Sequence, residues 1–122
     1  MATLSIAVCG AGTMGAGITQ IAAYSGFQVL LYDIQQEGLD KAKAQIEKSL
    51  NAAVEKGKLS AADQAETLQR ISFSTNLNDC VADVIIEAIT ERLPAKIDLL
   101  QQLAAINSSD TVLATNTSSL SI

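Results

Sequence analysis

Apolar residues fall along this chain in two patterns: short unbroken runs, and longer stretches that return every three or four positions. Residues 3–9, TLSIAVC, form a short apolar run closed by glycines and predict a buried strand. Residues 13–25 carry Met14, Ile18, Ile21 and Ala22 at helical spacing, with Gly26 just beyond as a C-cap. A second buried strand is expected over 27–32, FQVLLY. The longest helical pattern, 35–56, places Leu39, Ala42, Ile46, Leu50 and Ala53 on one face, and Gly57 stops it. Ser60 is placed to cap a short helix through Leu68, with Asp63 at the capping-box position. Ile71, Phe73 and Thr75 alternate with serines, as in a strand near a sheet edge, and residues 83–88, DVIIEA, predict a fourth, buried strand. Pro94 suits a first helical turn, and Ile97, Leu100, Leu103 and Ala104 continue the stripe of that helix. Residues 111–115, TVLAT, read as a fifth strand.

The order β-α-β-α-α-β-β-α-β predicts the α/β class: a doubly wound, mainly parallel sheet with helices on both faces. No internal repeat, low-complexity segment or linker interrupts it, so residues 1–122 read as one domain. The last strand runs into NTSSLSI with nothing helical after it, so the fold is expected to be cut short at its C-terminal end.

Composition narrows the chemistry. With 48% hydrophobic and 17% charged residues, a chain of 122 residues can bury a real core. Eight basic residues against thirteen acidic leave a net charge of −5, which disfavours a nucleic-acid or anionic-membrane partner. No apolar run approaches the ~20 residues of a membrane span. No basic stretch precedes the N-terminal apolar run, so a cytoplasmic protein without a secretory signal is expected. Two widely spaced cysteines, Cys9 and Cys80, and no histidine argue against a disulfide framework or a zinc site. Any general base within the chain must then be something other than imidazole.

Between the first strand and the first helix stands Gly10-Ala11-Gly12-Thr13-Met14-Gly15, of the form G-x-G-x-x-G. In that context the motif predicts a dinucleotide-binding loop of the Rossmann type. Gly10 permits the tight turn, Gly12 lets the backbone approach a pyrophosphate, and Gly15 lets the helix pack close to its strand. The helix N-terminus then offers amide groups and a positive dipole end to the phosphates. Asp33, eighteen residues after Gly15 and at the end of the second strand, is placed to accept hydrogen bonds from an adenosine ribose. No arginine or lysine follows in Ile34-Gln35-Gln36 to receive a 2′-phosphate, so NAD is expected rather than NADP. Taken alone, Asp33 could instead be an ordinary helix N-cap.

These residues, with LYD at the second strand, EKGKL at 55–59, VIIEAITE at 84–91 and ATNTSSLSI at the end, resemble the N-terminal domain of the 3-hydroxyacyl-CoA dehydrogenase family, which includes the 3-hydroxybutyryl-CoA dehydrogenases. The resemblance runs from Ile6 to Ile122. It implies oxidation of the 3-hydroxyl of an acyl-CoA with hydride passing to NAD. It further implies that Gly10 to Gly15 and Asp33 hold the adenosine and pyrophosphate. Ile89, Glu91 and Lys96 would line the cofactor nearer the nicotinamide. Ser49 and Lys56 would touch the CoA moiety. Asn116 and Ser118 would sit at the reaction centre, with Ser118 bonded to the substrate oxygen beside the nicotinamide. The catalytic histidine of the family, and the glutamate that orients it, lie after the NTSS segment and so past Ile122. So does the helical domain that completes the acyl-CoA pocket and forms a homodimer. On that basis the chain is expected to bind the cofactor and to show negligible turnover by itself.

Other residues invite plainer readings. Lys41, Lys43 and Lys48, interleaved with Asp40, Glu47 and Glu55, read as a solvated helix face, as does Lys58. Glu87 is expected to satisfy backbone donors or a hydroxyl rather than a ligand, with Glu91 the better ligand candidate of the two. Asn116, Thr117, Ser118 and Ser119 could be an ordinary turn, but they follow the carboxyl end of a strand, where open α/β sheets bind ligands. Ser118 has neither a histidine partner nor a nucleophile elbow, which removes a serine-hydrolase reading. Cys9 is expected to be a small buried residue, and Met14 to pack beside the cofactor or under its own helix. A non-catalytic NAD-binding module on the same fold is the alternative function. A dehydrogenase of free 3-hydroxy acids is a weaker one, which EKGKL and NTSS argue against.

Overall fold

The computed structural model describes residues 4–89 and 93–115. Five strands, β1 (Ser5–Cys9), β2 (Gln28–Tyr32), β3 (Ile71–Ser74), β4 (Val84–Glu87) and β5 (Val112–Thr115), form one sheet in the order β3-β2-β1-β4-β5. Every neighbouring pair is parallel, in the register Cys9 opposite Tyr32 and Glu87. Four helices connect them: α1 (Thr13–Tyr24), α2 (Gln36–Glu55), α3 (Ala61–Gln69) and α4 (Leu93–Ile106). The chain winds outward from β1 to β3, then returns to the other side of β1 for β4 and β5. The direction therefore reverses between β1 and β4, and the crevice beyond their carboxyl ends is where such sheets bind ligands.

Each sheet face is buried under helices, as the apolar runs require. Val8, Val29 and Leu31 pack with Leu39, Ala42, Ile46 and Leu50 of α2 on one side. Ala7, Cys9 and Ile85 pack with Leu103 of α4 and with Cys80 on the other. β3 is an edge strand, as its alternation suggests.

Helix ends follow local chemistry. Gly26 and Gly57 have φ of 105° and 73°, values that glycine adopts without strain. Each closes a six-residue C-terminal motif: Phe27 N–H donates to the Ala22 carbonyl, and Lys58 N–H to that of Ala53. Ser60 caps α3 by accepting from the Asp63 amide. Between β3 and β4 a single 3-10 turn, Leu77–Asp79, was not anticipated; three residues carry no periodicity to read.

Two helices are phased differently from the sequence expectation. In α1 the buried positions are Gly15, Ala16, Thr19, Ala22 and Ala23, while Met14 and Ile21 are 52% and 69% exposed. The cause is distance. A Cβ on Gly15 would overlap the carbonyl oxygen of Gly10, so α1 lies against the sheet with only its smallest residues inward. In α4, Lys96 and Leu103 are buried, whereas Ile97 and Ala104 face solvent. The inward stripe contains a lysine, because that lysine meets a buried carboxylate.

Candidate cofactor site

The carboxyl ends of β1, β2 and β4 meet around the glycine loop. Gly10 N–H donates to the Tyr32 carbonyl at 2.8 Å, and Ala88 N–H to the Cys9 carbonyl at 2.8 Å, so the loop is tied to the strands on either side. Gly10 has φ of 114°, and a Cβ there would lie 2.8 Å from Ile89 Cγ2 and 2.9 Å from the Ala88 carbonyl carbon. Only glycine fits. Gly12 is the opposite case: a Cβ there meets no atom within 4 Å. The open side of the loop lies at the start of α1, whose N-cap is Gly12 itself, with no capping side chain and no acidic residue in the first turn. Backbone amides and the positive helix end face that space, which suits a pyrophosphate.

Asp33 sits one residue past β2. Its Oδ2 accepts from the Ala11 amide at 2.9 Å and its Oδ1 from the Gln35 amide at 2.9 Å. The second bond is a local turn within the β2–α2 connection. Asp33 does not cap α2, whose N-cap is Gln35. Each carboxylate oxygen has a further lone pair for a sugar hydroxyl.

A cavity of about 260 Å³ opens beside these groups, with Gly10, Asp33 and Ile89 in its wall. Of the other expected cofactor residues, Ala11, Gly12, Thr13, Met14 and Gly15 make the loop and the first turn of α1. Met14 is 52% exposed, so it does not pack under its own helix. The wall also includes Tyr32, Ile34, Leu77, Leu99 and Gln102, which the sequence did not single out. The strand run placed Tyr32 only at the end of a buried strand, and the apolar stripe of α4 passed over Leu99. Leu77 depends on the unforeseen 3-10 turn.

Next to Ile89 of the cavity wall lies a buried ionic cluster. Glu87, fully buried at the end of β4, accepts from the Ile89 amide at 2.6 Å and from the Thr115 hydroxyl at 2.5 Å. Its Oε2 lies 3.8 Å from Lys96 Nζ. Glu87 thus does the structural work expected of it, and Lys96 is a buried partner rather than a solvent-facing helix lysine. A buried pair of this kind holds together only when its hydrogen bonds are also made.

Ser49 and Lys56 lie elsewhere. Both are exposed, two turns apart on one side of α2, and neither lines the cofactor cavity. Ser49 Oγ accepts from Gln20 Nε2 of α1 at 2.9 Å. Lys41, Lys43, Lys48 and Lys58 are exposed as well, with Lys41 paired to Glu37. Glu91, Asn116 and Ser118 lie outside the described residues. Among the described residues no acidic, cysteine or histidine cluster could hold a metal, and no helix is long and apolar enough to cross a membrane.

Comparison with known proteins agrees with this geometry. Residues 5–122 match the family described as 3-hydroxyacyl-CoA dehydrogenase, NAD binding domain. A probable 3-hydroxybutyryl-CoA dehydrogenase of Deinococcus radiodurans is 48% identical over 120 residues, which is 98% of this chain and 43% of that protein. A 3-hydroxyadipyl-CoA dehydrogenase of Escherichia coli is 48% identical over 97% of this chain and 25% of its own length. The crystal structure of (S)-3-hydroxybutyryl-CoA dehydrogenase from Ralstonia eutropha superposes with a TM-score of 0.92 at 38% identity, covering 99% of this chain and 43% of the other. This chain therefore spans less than half the length of the relatives it matches.

Proposed function

This chain belongs to the NAD-binding domain family of the 3-hydroxyacyl-CoA dehydrogenases, and from that premise we propose that it is the cofactor-holding part of an enzyme that oxidises the 3-hydroxyl of an acyl-CoA. NAD is the family's cofactor, and the residues on the page fit it. The open face of Gly12 admits a pyrophosphate, and the Asp33 carboxylate accepts from a ribose hydroxyl while holding the loop through Ala11. That arrangement is the observation that carries the reading. When bound, the nicotinamide supplies the hydride acceptor. The protein's share is to orient it: Ile89, fixed by Glu87, lies in the cavity wall, and Lys96 is held behind it.

Glu91 and Lys96 complete the cofactor's surroundings in this reading, and Asn116 and Ser118 hold the reacting oxygen. Ser49 and Lys56 take the CoA moiety, with Lys56 acting as a point charge for a phosphate. The substrate is a 3-hydroxyacyl-CoA or its 3-oxo product. The base that removes the hydroxyl proton comes from outside these 122 residues, which contain no histidine. The full enzyme is a cytoplasmic homodimer that binds no nucleic acid.

Titration of the chain with NADH tests the site. Gly12→Val adds a side chain into open space, so the variant folds normally and loses binding. Asp33→Ala weakens binding by about 10- to 100-fold, the loss expected for a hydrogen bond to a charged group. Equal affinity in all three proteins overturns the assignment. Incubation with NAD and 3-hydroxybutyryl-CoA yields no NADH above background, and measurable turnover by this chain removes the claim of an external base.

A further inference from the structure

We propose that Gln102 of α4, oriented by Asp98, reads the purine base of the dinucleotide and selects a 6-amino purine over a 6-oxo purine. The inference rests on the NAD reading above and extends it to a pair of residues that the motif does not reach.

Gly10 and Asp33 belong to one cavity wall, so a ribose held by Asp33 brings its base against the other residues of that wall. The walls there are aliphatic: Ile34, Leu77 and Leu99. Ile34 is 72% exposed and so presents an apolar face to a flat base. Apolar walls grip any base by its faces and do not distinguish one from another. Discrimination has to come from polar groups at the base's edge. The polar side chains in this wall are Tyr32, Asp33, Asp98 and Gln102; a phenol hydroxyl both donates and accepts and so suits either edge, which leaves Asp98 and Gln102 to discriminate.

Those two are one helical turn apart, and Gln102 Nε2 donates to Asp98 Oδ2 at 2.7 Å. The bond does more than join neighbours. A carboxylate only accepts, so it holds the nitrogen end of the carboxamide towards itself and turns Oε1 away. A free glutamine can rotate its amide to suit either a donor or an acceptor; this one cannot without placing two oxygens against each other. Oε1 and the second N–H of Gln102 remain for a ligand. An adenine edge offers an amino donor next to a ring-nitrogen acceptor, the pattern that a glutamine side chain matches with two bonds. Hypoxanthine carries an oxygen in place of the amino group and sets acceptor against acceptor. Gln102 is thus the reading residue, and Asp98 a positioning residue that acts through it.

The test compares NADH with reduced nicotinamide hypoxanthine dinucleotide by fluorescence or calorimetric titration of the 122-residue chain. The wild-type chain prefers NADH by about 5- to 150-fold, the range of one two-bond base contact. In Gln102→Leu the two ligands bind within about twofold of one another, because the edge contact is gone. Gln102→Met repeats this with an unbranched side chain, and the exposed position of Gln102 spares the core in both. In Asp98→Ala the amide is free to turn, so hypoxanthine recovers affinity and the preference shrinks while Gln102 is intact. Loss of a merely structural contact lowers both affinities together and leaves their ratio unchanged. Equal binding of the two ligands by the wild-type chain, or an undiminished preference in Gln102→Leu, overturns the inference and leaves the NAD site standing. Failure of the wild-type chain to bind NADH at all overturns the NAD reading, and this inference with it.

Discussion

At the scale of single residues, Cys9 shows how placement alters chemistry. It ends β1, directly before the glycine loop, and is fully buried beside Cys80, 71 positions later in the chain. The hydrogen bond with Cys80, together with burial, holds the Cys9 thiol well above the ordinary range. The sign of its effect on stability follows. Below the unfolded thiol pKa of about 8.5 both states keep the proton and pH is irrelevant. Above it the unfolded chain ionises first while the native thiol cannot, so native stability falls as pH rises, by at most about 1.4 kcal/mol per pH unit. The same bond lowers the Cys80 thiol, so the native pair gives up one proton where the unfolded chain gives up two. Thermal unfolding between pH 7.5 and 10 is therefore expected to show a smaller drop in Tm for the Cys9→Ala, Cys80→Ala double variant than for the wild-type chain. Parallel curves would show that the thiol is not the titrating group. Nothing in the sequence joined these cysteines. Their meeting requires β1 and the segment before β4 to lie side by side, and pairing across that distance is a property of the sheet.

At the scale of elements, α4 depends on a single asparagine at its end. Asn107 Oδ1 accepts from the Ala82 amide at 3.0 Å, and its Nδ2 donates to the carbonyls of Cys80 at 2.8 Å and Leu103 at 2.9 Å. One side chain thus finishes the helix and ties it to the turn leading into β4. Asn107→Ala leaves three backbone groups to find other partners and costs about 2–3 kcal/mol. A urea midpoint lowered at unchanged slope is the expected result, whereas an unshifted midpoint would mean that water replaces the side chain without loss. Legibility in the sequence varies at this scale. All five strands and four helices were visible, because apolar runs and glycine stops are local signals. The facing of α1 and α4 was not. Apolar spacing placed Met14 and Ile21 inward, yet α1 approaches the loop too closely for them. It also passed over Lys96, since a buried lysine makes sense only once Glu87 is known to lie opposite. The missed residues of the cavity wall, Leu77, Asp98, Leu99 and Gln102, have the same origin: their facing is set by neighbours distant in sequence.

At the scale of the whole molecule, the two edges of the sheet differ. Along β5, Val112 and Leu113 are 58% and 39% exposed, and among the described residues β5 pairs with β4 alone. An apolar strand paired on one side alone among the described residues invites another strand. Sedimentation of the 122-residue chain is expected to show association that grows with concentration and is suppressed in Leu113→Lys. Monomeric behaviour of both proteins throughout would show that this edge is protected.

The double engagement of Asp33 has a consequence for how such a site could be re-engineered or diverge over time. The carboxylate proposed to receive the sugar is also a mooring for the Ala11 amide. Converting this protein to a phosphorylated dinucleotide is therefore not a single exchange at position 33, because removing the acid also slackens the turn that every dinucleotide must rest on. A successful swap has to install a cation nearby and an uncharged acceptor for that amide in the same step.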